Sequence, residues 1–147
     1  MRSVAEISPI VIAFSALAAG VVGAWRWWTV APSRAFWLLC RTTQALAAGG
    51  AVVAGVLYLA GFEPADNLYW LYMLLPVAVS FVGEQLRLLS AQTVLDARGL
   101  EDAQAVGRLP EEGQRSVVLA IVRREIGVMT LACFVIAFLA LRALGTA

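Results

Sequence analysis

Eight polar side chains lie within or beside long apolar stretches, at three separate places in the chain. They are Arg41, Gln44, Ser80, Glu84, Arg87, Arg123, Arg124 and Glu125. Arginine binds phosphate and carboxylate groups through paired hydrogen bonds, and glutamate is a common ion-pair partner for it. The set therefore predicts either a site for an anion or a lipid headgroup, or a network of ion pairs that joins helices.

The spacing of these residues favours helices that bring them to similar depth. Glu84 and Arg87 are three residues apart, so they share a helix face and can pair. An ionised side chain at the centre of a membrane helix costs about 2.5 to 3.5 kcal/mol unless it is paired or hydrated. The side chain of Glu84 is short, so its carboxylate cannot easily reach the water at the membrane surface. We expect it to pair with Arg41 or Arg124, and Glu125 to pair with Arg87.

Several kinds of chemistry are excluded by composition. All 11 basic residues are arginine and histidine is absent, so the chain has no histidine general base. Haem proteins and catalytic zinc sites commonly use histidine as well. A net charge of +1 provides no field to attract nucleic acid. The sequence therefore predicts no metal, no cofactor and no nucleic-acid partner, and it favours a non-enzymatic role.

The elements that must position these residues are apolar helices. Apolar residues make up 61% of the chain and the mean hydropathy is +0.82, whereas a membrane-spanning helix needs about 20 mainly apolar residues. Four stretches qualify: 7–25, 36–61, 68–95 and 110–144, with a polar segment over 96–113. We therefore predict an all-α, polytopic membrane protein with a single domain over 1–147. Its four transmembrane helices form a bundle, and the third and fourth are long and extend toward the cytoplasm.

The arginines predict the orientation of this bundle. Those that flank the first and third breaks are Arg26, Arg34, Arg41, Arg87, Arg98, Arg108, Arg115, Arg123 and Arg124. Cytoplasmic loops carry such an excess, so both termini are expected on the non-cytoplasmic side. The absence of lysine, beside much alanine, glycine and valine, is typical of a GC-rich bacterial genome, so we expect the membrane to be a bacterial inner membrane. Aromatic residues such as Trp27, Tyr69 and Trp70 are expected at the membrane interfaces.

Small residues and cysteines predict how the helices pack. Stripes at four-residue spacing let helix backbones approach closely. They occur in the first span (Ala16, Gly20, Ala24) and in the second (Ala47, Ala51, Gly55, with Gly49 and Gly50 alongside). We expect the first two spans to cross there, although the stripes also suit another copy or another subunit. Cys40 and Cys133 are expected near opposite ends of their spans, too far apart for a disulfide.

These patterns leave three functional hypotheses open. The first is an oligomeric or accessory subunit of a membrane complex, with membrane lipids and other subunits as partners. The second is a small transporter, channel or anionic-lipid-binding protein that uses the layer of arginine and glutamate near the cytoplasmic face. Neither the substrate, the partner nor the number of copies follows from the sequence.

The third hypothesis, a small membrane enzyme, comes from a resemblance. Four spans, the chain length and Arg41-Thr42-Thr43-Gln44 in the second span resemble, in outline, the membrane-associated proteins of eicosanoid and glutathione metabolism. The resemblance implies a four-helix membrane fold and binding of glutathione. That family's further glutamate and asparagine, and its tyrosine-bearing motif, have no counterpart here, so no catalytic residue is assigned.

Overall fold

The fold is entirely helical: a computed structural model, which describes residues 1–147, is 83% helix with no strands. This confirms the predicted all-α class. The helices are α1 (Arg2–Thr29), α2 (Arg34–Leu59), α3 (Leu68–Leu88), α4 (Ser90–Ala97), α5 (Ala103–Gly107) and α6 (Glu111–Leu144). Four of them, α1, α2, α3 and α6, are long and apolar enough to cross a membrane.

A tight turn joins α1 to α2. Val30 adopts a left-handed conformation with φ of 49°, which is uncommon for a β-branched residue, and its N–H bonds to the carbonyl of Arg26. Ser33 then caps α2, because its Oγ accepts a hydrogen bond from the N–H of Phe36 at 3.3 Å. The two helices therefore run in opposite directions from this turn.

The third predicted helix, 68–95, is divided in the structure. It ends as α3 at Leu88 and resumes as α4 at Ser90. Around this break the hydroxyl groups of Ser90 and Thr93 donate to the carbonyls of Leu86 and Leu89, at 3.0 and 2.9 Å. Such bonds to the preceding turn bend helices, and two of them flank a break that hydropathy alone does not predict.

The last helix extends well beyond its neighbours. α6 has 34 residues and a length of about 50 Å. Its first turn carries Glu111 and Glu112, which suit the positive end of the helix dipole. Both α4 and α5 pack against α6. The end of the molecule that holds the start of α6, α4, α5 and the α1–α2 turn is called the arginine-rich end. The opposite end holds both chain termini.

The long helices contact one another in a defined order. α1 packs against α2 and α6, and α3 also packs against α2 and α6, whereas α2 and α6 scarcely touch. The largest buried cluster includes Ile12, Tyr69, Met73 and Ile136. These side chains fill the space where the four helices meet.

The small residues pack only in part as the stripes predict. A Cβ atom added at Gly20 would meet the ring of Phe134 at 2.8 Å, so this side of α1 faces α6 rather than α2. On α2 it is Gly50 that allows α1 to approach closely, since a Cβ there would meet Ile12 of α1 at 2.6 Å. Gly55, which belongs to the predicted stripe, has no atom nearby and faces outward. α1 and α2 therefore pack against each other at Gly50, which lies beside the predicted stripe, whereas Gly20 and Gly55 of the stripes take no part in that contact.

Tyr69 also departs from its predicted place at a membrane interface. Its side chain is fully buried and its hydroxyl donates to the carbonyl of Ala5 at 3.3 Å. Nearby, the N–H of Asp66 bonds to the carbonyl of Thr146 at 3.2 Å, which holds the C-terminus against the α2–α3 loop. Tyr69 therefore joins α3 to the start of α1.

The two cysteines are neighbours, which corrects the prediction that they lie near opposite ends of their spans. Their Sγ atoms are 3.8 Å apart, both buried, and both thiols are free. The error came from α6, whose first turns extend beyond the start of α2. Cys133 therefore reaches the level of Cys40 even though it lies far along its helix.

Mild oxidation tests this packing directly. We expect a membrane-permeant oxidant to join Cys40 and Cys133 within one chain, since the Sγ atoms need to approach only from 3.8 Å to about 2.05 Å. Mass spectrometry of unreduced peptides should find the linked pair, and Cys40→Ser should abolish it. Recovery of both thiols in alkylated form after oxidation would contradict the observed contact of α2 with α6.

Candidate functional site

Glu84 is the centre of a polar cluster between α2 and α3 near the arginine-rich end. Its Oε1 accepts hydrogen bonds from Arg41 Nη1 and Gln44 Nε2, both at 2.8 Å. Its Oε2 accepts from Arg87 Nε at 2.9 Å and from Arg41 Nη2 at 3.4 Å. We call Arg41, Gln44, Glu84 and Arg87 the Glu84 cluster; one carboxylate thus receives four hydrogen bonds from three side chains.

The cluster is closed on itself. Arg41 Nη1 also donates to Gln44 Oε1 at 2.8 Å, so Arg41, Gln44 and Glu84 are bonded pairwise. The side chain of Glu84 is 21% exposed and that of Arg87 24%, while Arg41 is 52% exposed. The Arg87 guanidinium lies over the ring of Trp37, 5.4 Å from its centroid. The partners therefore cover the carboxylate and leave Arg41 as the outer member.

This geometry favours ion pairing over reaction chemistry. The cluster contains no nucleophile, and the carboxylate already accepts donors on both oxygens. Two arginines and one glutamate leave a charge of +1. The arrangement can hold α2 and α3 in one relative position, because both oxygens of the α3 carboxylate accept hydrogen bonds from α2.

Ser80 does not join the Glu84 cluster, although the sequence places it on the same face of α3. Its hydroxyl donates to the carbonyl of Pro76 at 2.7 Å. The bond lies within α3, one turn from the proline. Ser80 therefore forms its hydrogen bond with a backbone carbonyl of its own helix and not with Glu84.

The α6 residues of the predicted set lie apart from the Glu84 cluster. The ion pairs are Arg2–Glu6, Arg41–Glu84 and Arg87–Glu84, so the predicted pairs of Glu84 with Arg124 and of Glu125 with Arg87 are absent. Gly83 explains this, since a Cβ there would meet Ala132 of α6 at 3.1 Å. Gly83 faces α6, so Glu84, about 100° further round α3, faces α2.

Arg123 forms a second, separate polar group with α1. Its guanidinium lies over the ring of Trp27, 4.4 Å from the centroid. The same indole packs against α6 at Gly127, where a Cβ would meet Trp27 Nε1 at 2.9 Å. Arg124 is exposed beside it, and Glu125 is half-buried. The predicted layer is thus two groups, one between α2 and α3 and one on α6.

Three polar residues between helices were missed by sequence reasoning. Ser15 and Thr43 share a hydrogen bond of 2.9 Å that joins α1 to α2. Thr130 of α6 is 8% exposed, and its hydroxyl, which has no partner, packs against Gly23 of α1. A single hydroxyl in an apolar run gives little signal, because its partner lies on another helix.

Two apolar grooves flank the exposed side of α6. One lies between α1 and α6 and has a volume of about 380 Å³; the other lies between α3 and α6 and has about 310 Å³. Leu131 lines both. Neither groove contains an acid, a histidine or a cysteine.

No set of three or more histidine, cysteine, aspartate or glutamate side chains is placed to hold a metal ion.

Comparisons of the chain with protein-family models, with curated proteins and with solved structures find no match.

Proposed function

We propose that this chain is a multi-pass membrane protein whose four long helices form one bundle across a bacterial inner membrane. Support comes from the length and hydropathy of α1, α2, α3 and α6 and from large apolar side chains on their outer surfaces, such as Phe14 and Leu59. The excess of arginine at one end supports a cytoplasmic position for that end, with both termini outside.

Within that membrane, we propose that the protein is a subunit of an assembly of identical copies. The supporting observation is an exposed side of α2 made mostly of small residues, which we call the α2 face: Ala45, Ala48, Gly49, Val52 and Gly55. A Cβ built on Gly49 or on Gly55 has no atom within 4 Å. The three- and four-residue spacing keeps these positions on one side of the helix.

A second copy of the same chain suits the α2 face. Lipid tails are as apolar as leucine, so helices associate in a bilayer through close backbone packing, which small residues permit. A two-fold axis brings the same patch of two copies together, and the small residues of each patch let the two α2 backbones approach closely. We therefore infer a symmetric dimer in which the α2 faces meet.

The Glu84 cluster has a supporting role in this proposal. Arg41 lies four residues before Ala45, so it shares that side of the helix and reaches across to Glu84 on α3. The bonds of Arg41 and Gln44 to Glu84 oppose rotation of α2 about its own axis. They therefore keep the α2 face directed away from the bundle.

Enlarging the α2 face tests the proposed function. We expect Gly49→Leu or Gly55→Leu to weaken self-association in liposomes about tenfold, equivalent to about 1.4 kcal/mol. Both substitutions enter open space in one copy, so its fold should be kept. Energy transfer between labelled copies, measured over a range of protein-to-lipid ratios, gives the association constant.

Val21→Leu is the matched control, because Val21 is an exposed residue of α1, away from the α2 face. It should leave the association constant unchanged. A wild-type protein that stays monomeric at every protein-to-lipid ratio would overturn the proposal, as would equal weakening by Val21→Leu and Gly49→Leu.

A further inference from the structure

The exposed side of α6 combines a pair of arginines with the two apolar grooves. Arg124 and Leu131 are seven residues apart, so they lie on one side of the helix. Leu131 is 66% exposed and forms the ridge between the two grooves. A charged position thus lies about two turns above a ridge that has an apolar groove on each side.

The groove between α1 and α6 has an oriented cation beside it. Trp27 lines this groove with Ala24, Leu131 and Phe134, and its ring lies beneath the Arg123 guanidinium at 4.4 Å. Arg123 has no carboxylate within ion-pair distance. Its charge is therefore held near the groove by a stacking contact and remains free for an anion.

The groove between α3 and α6 is almost wholly apolar. Val79, Val82, Leu86, Val128 and Val135 are among its lining residues. Arg124 precedes Val128 by four residues, so it lies one turn nearer the arginine-rich end on the same side of α6. The two grooves reach the same level of α6, residues 127–135, with one arginine toward each.

We propose that α6 binds one anionic phospholipid with two acyl chains. Arg123 and Arg124 hold the phosphate, and one acyl chain lies in each groove, astride Leu131. This rests on the membrane insertion proposed above and not on self-association, so a monomer is expected to bind the lipid as well.

Charge and shape both select this ligand. Arginine matches phosphate oxygens with paired donors, and two adjacent arginines attract a headgroup of negative charge over a neutral one. Glu125 is half-buried and forms no ion pair, so residues 123–125 together carry a charge of +1. Two grooves on either side of one ridge suit two chains that leave one glycerol.

Lipid exchange measured by native mass spectrometry tests the site. The probes are phosphatidylglycerol and phosphatidylcholine with identical acyl chains, added to the purified full-length protein in detergent. Each basic residue near a membrane surface contributes about 1 kcal/mol, so Arg123→Gln or Arg124→Gln should weaken phosphatidylglycerol binding about fivefold, and the double variant about thirtyfold. Phosphatidylcholine has the same phosphate but also a choline cation, so its binding should weaken less, and the preference for phosphatidylglycerol should fall.

Arg142→Gln is the matched control, because Arg142 also lies over an aromatic ring, Tyr72 at 5.7 Å, but at the opposite end. It should leave the preference for phosphatidylglycerol intact. Ala24→Phe keeps both arginines and fills the groove between α1 and α6, so it should weaken binding of both lipids. Inorganic phosphate should not compete at concentrations that match the lipid.

Three results would overturn this site. One is an unchanged preference for phosphatidylglycerol in the double variant. The second is an equal loss in Arg142→Gln, and the third is competition by inorganic phosphate as strong as that by the lipid. Gly49→Leu, which tests self-association, should leave lipid binding unchanged, so failure of either proposal can be told from failure of the other.

Discussion

Replacing Glu84 with glutamine should lower the free energy of unfolding by about 2 to 3 kcal/mol. The carboxylate accepts four hydrogen bonds from Arg41, Gln44 and Arg87, and bonds to charged groups contribute about 1.5 to 3 kcal/mol each. Glutamine keeps the shape but leaves two guanidinium groups without a counter-charge. The upper range for a fully buried pair is not expected, since Arg41 is half exposed.

Unfolding of the purified protein in detergent, followed by helical circular dichroism, measures this loss. Glu125→Gln is the matched control, because Glu125 is also a half-buried glutamate but forms no ion pair. It should change the free energy by less than about 0.5 kcal/mol. Equal stability of Glu84→Gln and wild type would mean that the Glu84 cluster does not hold α2 to α3.

Replacing Gly23 with alanine should destabilise the protein by about 1 to 3 kcal/mol, the usual range for overpacking. A Cβ at this position would overlap the hydroxyl of Thr130 and meet the Phe36 ring at 2.5 Å. Neither neighbour has room to move, because Phe36 is fully buried and Thr130 is 8% exposed. The methyl group would therefore separate α1 from α6, the most extensively packed pair of helices.

Gly49→Ala is the control for this substitution, since its Cβ meets nothing within 4 Å. In a helix interior alanine is favoured over glycine by up to about 1 kcal/mol, so Gly49→Ala should keep or raise the stability of the monomer. The same unfolding measurement compares the two variants. A Gly23→Ala protein at least as stable as Gly49→Ala would show that α1 and α6 approach less closely than in the structure.

Local features of the site could be predicted from sequence, and long-range ones only in part. The bond between Glu84 and Arg87 follows from three-residue spacing on one helix. Arg41 was one of two predicted partners of Glu84, and the choice between Arg41 and Arg124 depended on which way Glu84 faces. That direction is set by Gly83, whose lack of a side chain admits Ala132. A glycine beside a glutamate carries no such information by itself.

In the fold as well, properties of single segments could be predicted from sequence, and contacts between distant segments could not. Hydropathy predicted four long apolar helices, because the total apolar content of each segment decides this property, but the first helix is longer than predicted and the third is shorter. The predicted separation of Cys40 and Cys133 was wrong, because their relative level depends on how far each helix slides past its neighbours. Sliding is determined by contacts such as Tyr69 with Ala5, which join residues 64 positions apart. No single segment of the sequence contains both members of such a contact.

The uninterrupted length of α6 has a mechanical consequence. One helix without an internal proline carries Val117, next to the α4–α5 region, and also Arg123, Leu131 and Cys133. A helix of this kind transmits twist along its axis, because each backbone hydrogen bond links one turn to the next. A molecule that binds the N-terminal half of α6, near Val117, and rotates it about its axis would also rotate Leu131 relative to α1 and α3. The groove on one side of Leu131 would then widen, and the groove on the other side would narrow.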